Sequence, residues 1–130
     1  MPDKAILLVE DNPDHAELAK IALRENRVLN RIIWAENGRE ALDYLEGTGN
    51  YAGRDLQDIP ALVRLDLHLP KISGMEVLRL LRREPRTAQV LVVVFSASRN
   101  EQELMQTYNL GGNSCLRKPT DPADMAAVLR

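Results

Sequence analysis

Five polar residues stand where short apolar runs end. Glu10 and Asp11 follow residues 5–9, Asp66 closes the run beginning at Ala61, Ser96 follows residues 90–95, and Lys118 follows residues 114–117. Three carboxylates brought together repel one another. A hard divalent cation with oxygen ligands relieves that repulsion at least cost. Mg2+, which keeps several waters and takes only a few carboxylates, suits the count. A lysine and a hydroxyl facing a metal-bound carboxylate can hold a phosphoryl group: Lys118 offers a point charge, Ser96 a neutral donor, and the metal neutralises a further oxygen. Carboxylates are also nucleophiles toward phosphoryl groups and form aspartyl-phosphate. The protein's part in such chemistry is mainly positioning and charge neutralisation.

The elements that must position these groups alternate between strand and helix. A strand buried on both faces reads as a near-continuous apolar run. Ala61-Leu-Val-Arg-Leu-Asp66 therefore reads as a strand whose carboxylate lies at its carboxyl edge, where open α/β sheets bind ligands. Residues 5–9 form the first strand and 31–35 the second. Residues 14–26 are helical, with Leu18, Ile21 and Ala22 on one face. Asn37-Gly38 opens a second helix that buries Ala41, Leu42 and Leu45 and closes at Gly47. Residues 47–60 form a polar loop, long for a compact domain and so a candidate functional segment. Ser73-x-x-Glu76 is a capping box for a helix burying Val77, Leu78 and Leu81 and stopping before Pro85.

Residues 90–95 form the fourth strand. A second capping box, Ser98-x-x-Glu101, starts a helix carrying Leu104, Met105 and Tyr108 that ends at Gly111-Gly112. Residues 114–117 form the last strand, and Asp121-Pro122 opens a final helix. That helix is cut off at Arg130 with few turns to cover a sheet, which suggests a chain that ends early. The (βα)5 order predicts an α/β fold with a doubly wound, five-stranded parallel sheet and helices on both faces. Parallel strands put all five polar groups on one edge.

With 130 residues the chain is expected to be one domain spanning 1–130. Its net charge of −2 gives no nucleic-acid or membrane footprint, and no run approaches the roughly 18 apolar residues of a membrane span. The N-terminus lacks a signal peptide's apolar stretch. A single cysteine, Cys115, excludes an internal disulfide framework. These features point to a cytoplasmic protein.

Glu10-Asp11, Asp66, Ser96-Ala97 and Lys118-Pro119, at these spacings on a (βα)5 frame, resemble the receiver domain of two-component response regulators. The resemblance covers essentially the whole chain and implies the flavodoxin-like receiver fold with strand order 2-1-3-4-5. It implies that Asp66 is the phosphoacceptor, taking phosphate from a sensor histidine kinase, and that the chain is not an enzyme beyond slow self-phosphorylation and autodephosphorylation. It also implies that Asp11, Asp66 and the backbone carbonyl of His68 bind Mg2+, with Glu10 helping through water. Ser96 and Ala97 would form the switch region with Cys115 and Pro119, Lys118 would bind the phosphate, and the Lys118-Pro119 bond would be cis. If the chain dimerises, the fourth helix with the fifth strand and helix forms the patch. A narrower likeness rests on the run Pro60-Ala-Leu-Val63 to Leu65-Asp-Leu-His-Leu-Pro-Lys71, the long loop before it and Tyr108-Asn-Leu-Gly-Gly-Asn-Ser114. These resemble the single-domain regulators partnered with phytochrome kinases, which implies a red-light input and no DNA-binding output.

Three departures stand out. Cys115 replaces an aromatic that turns inward when the switch hydroxyl moves. Arg64 occupies a strand position where the family has an aliphatic residue; sharing a face with Asp66, it must pair with an acid or reach solvent. Ser96 stands where threonine is commoner. Blander roles fit the other residues. Asn12 and Asp14 read as turn and cap residues, His15 as a solvated surface histidine, Ser98 as a helix cap, Cys115 as a buried apolar side chain, and Trp34 and Tyr44 as packing. The rival readings are weaker. A haloacid-dehalogenase-type phosphatase needs Asp-x-Asp after the first strand and a cap domain, and a mononucleotide binder needs a glycine-rich loop where Glu10-Asp11 stands. A degenerate receiver acting only as an interaction module conflicts with intact Asp11, Asp66 and Lys118.

Cys115 has one rotatable bond and little of an aromatic's volume, so it cannot follow a moving hydroxyl as an aromatic would. Cys115→Tyr should leave phosphorylation of Asp66 unchanged while altering kinase affinity or dimerisation. Loss of phosphotransfer in that variant, measured by intact-mass spectrometry, would place position 115 in the chemical site.

Overall fold

The computed structural model describes residues 4–66, 69, 71–96 and 114–117. Five parallel strands form one sheet: β1 (Ile6–Val9), β2 (Ile32–Ala35), β3 (Leu62–Asp66), β4 (Leu91–Ser96) and β5 (Ser114–Arg117). Their order is β2-β1-β3-β4-β5, as expected for a doubly wound receiver-type sheet. Three helices, α1 (Pro13–Glu25), α2 (Gly38–Glu46) and α3 (Gly74–Arg83), connect the first four strands. The expected fourth and fifth helices, with Ser98, Glu101, Tyr108 and Pro122, lie outside the described residues. None of the described helices is long and apolar enough to cross a membrane.

The placement of the helices follows from handedness. The chain steps one way from β1 to β2 and the other way from β2 to β3 and from β3 to β4. Right-handed crossovers then put α1 on one face and α2 with α3 on the other. Strand periodicity splits the core accordingly. Leu7, Val9, Val63, Leu65, Val92 and Val94 pack with Leu42, Leu45, Val77, Leu78 and Leu81. On the opposite face Leu8 packs with Ala16 and Ala19, flanked by Ile32 and Trp34.

The face that α1 buries differs from the expected one. Ala16, Ala19, Ala22 and Leu23 are buried, whereas Ile21 is 39% exposed. A stripe of alanines lets the helix axis approach the sheet closely, which turns Ile21 outward. β2 begins at Ile32, one residue later than expected, although the Arg31 carbonyl still accepts from Ile6 N at 2.8 Å.

Caps fix the helix ends. Asn37 Oδ1 accepts from Glu40 N at 2.9 Å to start α2, and Gly47 ends it in the left-handed region at φ 70°. Ser73 Oγ accepts from Glu76 N at 3.3 Å, while the Glu76 carboxylate pairs forward with Arg79. The long loop after α2 is packed by its own side chains. Arg54 Nε donates to the Tyr44 carbonyl at 2.7 Å, its Nη1 donates to the Asp58 carbonyl at 2.9 Å, and its guanidinium lies 4.0 Å over the Tyr44 ring. Tyr51 meets Tyr44 edge to face at 5.1 Å.

One close approach ties the α2 start to the segment that follows Asp66. A Cβ on Gly38 would lie 2.1 Å from the Ile72 carbonyl oxygen and 2.8 Å from Ile72 Cβ. In an unencumbered helix, alanine for glycine gains about 1 kcal/mol. Here the contact is with backbone and must displace the 71–73 segment, so overpacking of about 1–3 kcal/mol wins. Gly38→Ala should lower the urea midpoint; a raised midpoint would show that the segment gives way freely.

Candidate acidic site at the carboxyl edge of the sheet

The site is assembled by strand register. β1 pairs with β3 so that Leu8 meets Arg64 and Val9 meets Leu65. β3 pairs with β4 so that Asp66 meets Phe95. Glu10, one residue past β1, therefore lies level with Asp66 and Phe95, and all three share the α1 face with Leu8 and Arg64.

The turn between β1 and α1 is held from several sides. Glu10 N donates to the Ala35 carbonyl at 3.0 Å, and the Glu10 carbonyl accepts from Trp34 Nε1 at 2.8 Å. The Glu10 carboxylate folds back beneath the turn, where Oε2 accepts from Asn12 N at 3.2 Å. Asn12 Oδ1 in turn accepts from Asp14 N at 2.9 Å and His15 N at 3.3 Å, capping α1 with Pro13 in its first turn. This arrangement sends Glu10 inward and Asp11 outward.

Glu10 is wholly buried and Asp66 is 3% exposed, whereas Asp11 is exposed. One carboxylate oxygen from each lies within 4.8 Å of the others. At that separation, with an effective dielectric constant of about 20, Glu10 and Asp66 repel by ~3 kcal/mol. One cation is built in. Arg64 is 1% exposed, and its Nη1 lies 3.8 Å from Glu10 Oε1. Its guanidinium centre sits 3.9 Å over the Phe95 ring, a cation–π contact. Burial pushes Arg64 below the usual arginine range, while Glu10 and Asp66 pull it back up. An arginine remains charged in a protein all the same. Of the two outcomes open to Arg64, pairing with an acid is the one realised. Among the described residues, one guanidinium stands beside three carboxylates. The donor set is all oxygen and compact, and it fits a hard divalent cation.

Glu10, Asp11 and Asp66 thus come together as expected. Ser96 ends β4 one residue beyond Phe95 and pairs with Arg117, the residue before Lys118, so the fourth and fifth strands end at the same edge. Cys115 pairs with Val94 in the β5 ladder. His68, Ala97, Lys118 and Pro119, with the expected cis bond, lie outside the described residues. His15 departs from the solvated surface role: its side chain is 31% exposed and Nδ1 lies 4.0 Å from Glu10 Oε1. The α1 cap directs the first helical turn back over Glu10. Trp34 does more than pack, since its indole holds the Glu10 carbonyl. The signal for Arg64 was its charge inside an apolar run; its partner becomes visible only once the β1–β3 register is known.

Comparison with known proteins places these features in a family. The family model of the response regulator receiver domain matches residues 6–130. The chain is 40% identical over 123 residues to the probable methanogenesis regulatory protein FilR2 of Methanothrix harundinacea, covering 92% of this chain and 75% of that one. Among solved structures, the bacteriophytochrome response regulator AtBRR is 41% identical with a TM-score of 0.80, covering 97% of this chain and 91% of that one. The phosphorylated cyanobacterial phytochrome response regulator RcpA is 34% identical with a TM-score of 0.87, covering 98% and 89%.

The Asn12 cap holds the turn that carries Glu10 and Asp11. Asn12→Ala should cost about 1 kcal/mol in urea unfolding, with Asn12→Ser recovering most of it. Equal losses in the two variants would show that the side-chain oxygen is not what fixes the turn.

Proposed function

The chain belongs to the response regulator receiver domain family, and on that premise we propose that Asp66 is its phosphoacceptor, charged by a sensor histidine kinase in a Mg2+-dependent reaction. The observation that carries this reading is the position of Asp66. It is a nearly buried carboxylate at the last residue of β3, within 4.8 Å of two further acids. An Asp66 carboxylate oxygen attacks the phosphorus of a phosphohistidine, the phosphorus–nitrogen bond breaks, and the imidazole leaves with its electron pair. Asp11, Asp66 and the His68 carbonyl would hold the cation, with Glu10 assisting, and a bound ion would supply charge neutralisation at the phosphoryl oxygens. Lys118 and the Ser96 hydroxyl, with Ala97 beside it, take the remaining oxygens, and Cys115 and Pro119 belong to the region that responds.

Residues 1–130 act as one receiver domain in the cytoplasm. Family members serve as phosphoacceptors rather than enzymes, so turnover here is limited to slow self-phosphorylation and autodephosphorylation. The likeness to AtBRR and RcpA supports a phytochrome-type kinase as the phosphate donor and red light as the input. Phosphorylation biases a two-state equilibrium at the fourth helix, β5 and the fifth helix, where a homodimer or another partner binds.

With Mg2+ and acetyl phosphate, the protein should gain one acid-stable, base-labile phosphoryl group by intact-mass spectrometry. Asp66→Asn should gain none. Labelling of the Asn variant at the parent rate would overturn the assignment.

A further inference from the structure

Arg64 is a charged residue in the middle of a central strand. Its ladder neighbours are Leu8 and Val93, both apolar, and it is 1% exposed. Placing a guanidinium there costs desolvation that packing alone does not return. A leucine or valine would fill the same rung without that cost. What the arginine alone supplies is a fixed positive charge two residues further along the strand. Its head group rises to the level of Glu10 and Asp66, with Phe95 beneath it and Glu10 Oε1 at 3.8 Å. The flat guanidinium rests on the ring, which leaves its edge for the acid.

We propose that Arg64 is a positioning residue of the acidic site, a permanent internal counter-charge to Glu10 that stabilises the protein without metal and weakens its hold on the divalent ion. The proposal rests on the reading that Glu10, Asp11 and Asp66 surround such an ion. Two consequences follow from the one charge. In the metal-free protein it offsets part of the repulsion among three crowded carboxylates. When the ion enters, the same charge lies close by, screened little by solvent because it is buried, and opposes it. It also keeps Glu10 turned beneath the β1–α1 turn, so that Asp11 and Asp66 remain the carboxylates presented to the ion.

The test is Mg2+ titration by calorimetry on the full chain, with melting temperatures measured at zero and saturating Mg2+. Arg64→Leu should bind Mg2+ about tenfold more tightly, melt lower than the parent without metal, and recover most of the difference at saturation. Arg64→Lys keeps the charge and should bind Mg2+ within about twofold of the parent. Glu10→Gln alone should bind more weakly. Glu10→Gln combined with Arg64→Leu removes one charge of each sign and should return to near-parent affinity; it also serves if Arg64→Leu alone does not fold. Parent-like or weaker binding by Arg64→Leu, or a double variant as weak as Glu10→Gln, would overturn the proposal while leaving the Asp66 reading intact. A parent that takes up no Mg2+ would overturn the divalent-site reading and this proposal with it.

Discussion

Crowding of like charge at one edge of a parallel sheet is the constraint on which the rest of this structure depends. Parallel strands deliver all their carboxyl ends to the same side, and the β1–β3–β4 register sets Glu10, Asp66 and Phe95 level there. Two of the acids are buried, so solvent does not dilute their repulsion. The surrounding structure is arranged around that load. Trp34 and Ala35 hold the Glu10 backbone, Asn12 turns the chain into α1, and Gly38 lets the segment after Asp66 lie against α2.

Stability and function pull in opposite directions at this edge. The aliphatic layer that α2 and α3 cover is apolar and largely buried. On the α1 face small alanines bring the helix close, while an arginine and two acids share the sheet face beyond them. The Arg64 guanidinium, 3.8 Å from Glu10 and also felt by Asp66, offsets part of the repulsion among these acids. Among the described residues the acids of this pocket still outnumber that cation. An unbalanced pocket is a poor contributor to folding and a good receptor for small cations and the groups they carry.

Much of this was readable from the chain because parallel strands are buried on both sides. Each appears as an unbroken apolar run, so a carboxylate or hydroxyl at its end is conspicuous, and Asp66 was found that way. The caps at Asn37, Gly47 and Ser73 were readable because their chemistry is local. The α1 face is legible only at Ala22, because alanine carries little hydrophobic signal and Leu18 with Ile21 outweighs Ala16 and Ala19 in the pattern. Arg64 and His15 were opaque for a different reason. Their partner, Glu10, lies on another strand or is reached through a cap, and no spacing along one segment encodes a register between two. The length of the loop after α2 is plain in the chain, whereas its packing through Arg54, Tyr44 and Tyr51 depends on contacts that no spacing encodes.

Trp34 is the chain's single tryptophan. Its indole N–H is bonded to the carbonyl of Glu10, and the Lys20 ammonium lies 5.1 Å over the ring. An indole's emission responds to the field and hydrogen bonding around it, so this chain carries one chromophore wired to the turn that presents its acids. Changes of charge or backbone position at that turn are written into the ultraviolet fluorescence of the unmodified protein, with no competing tryptophan signal and no label.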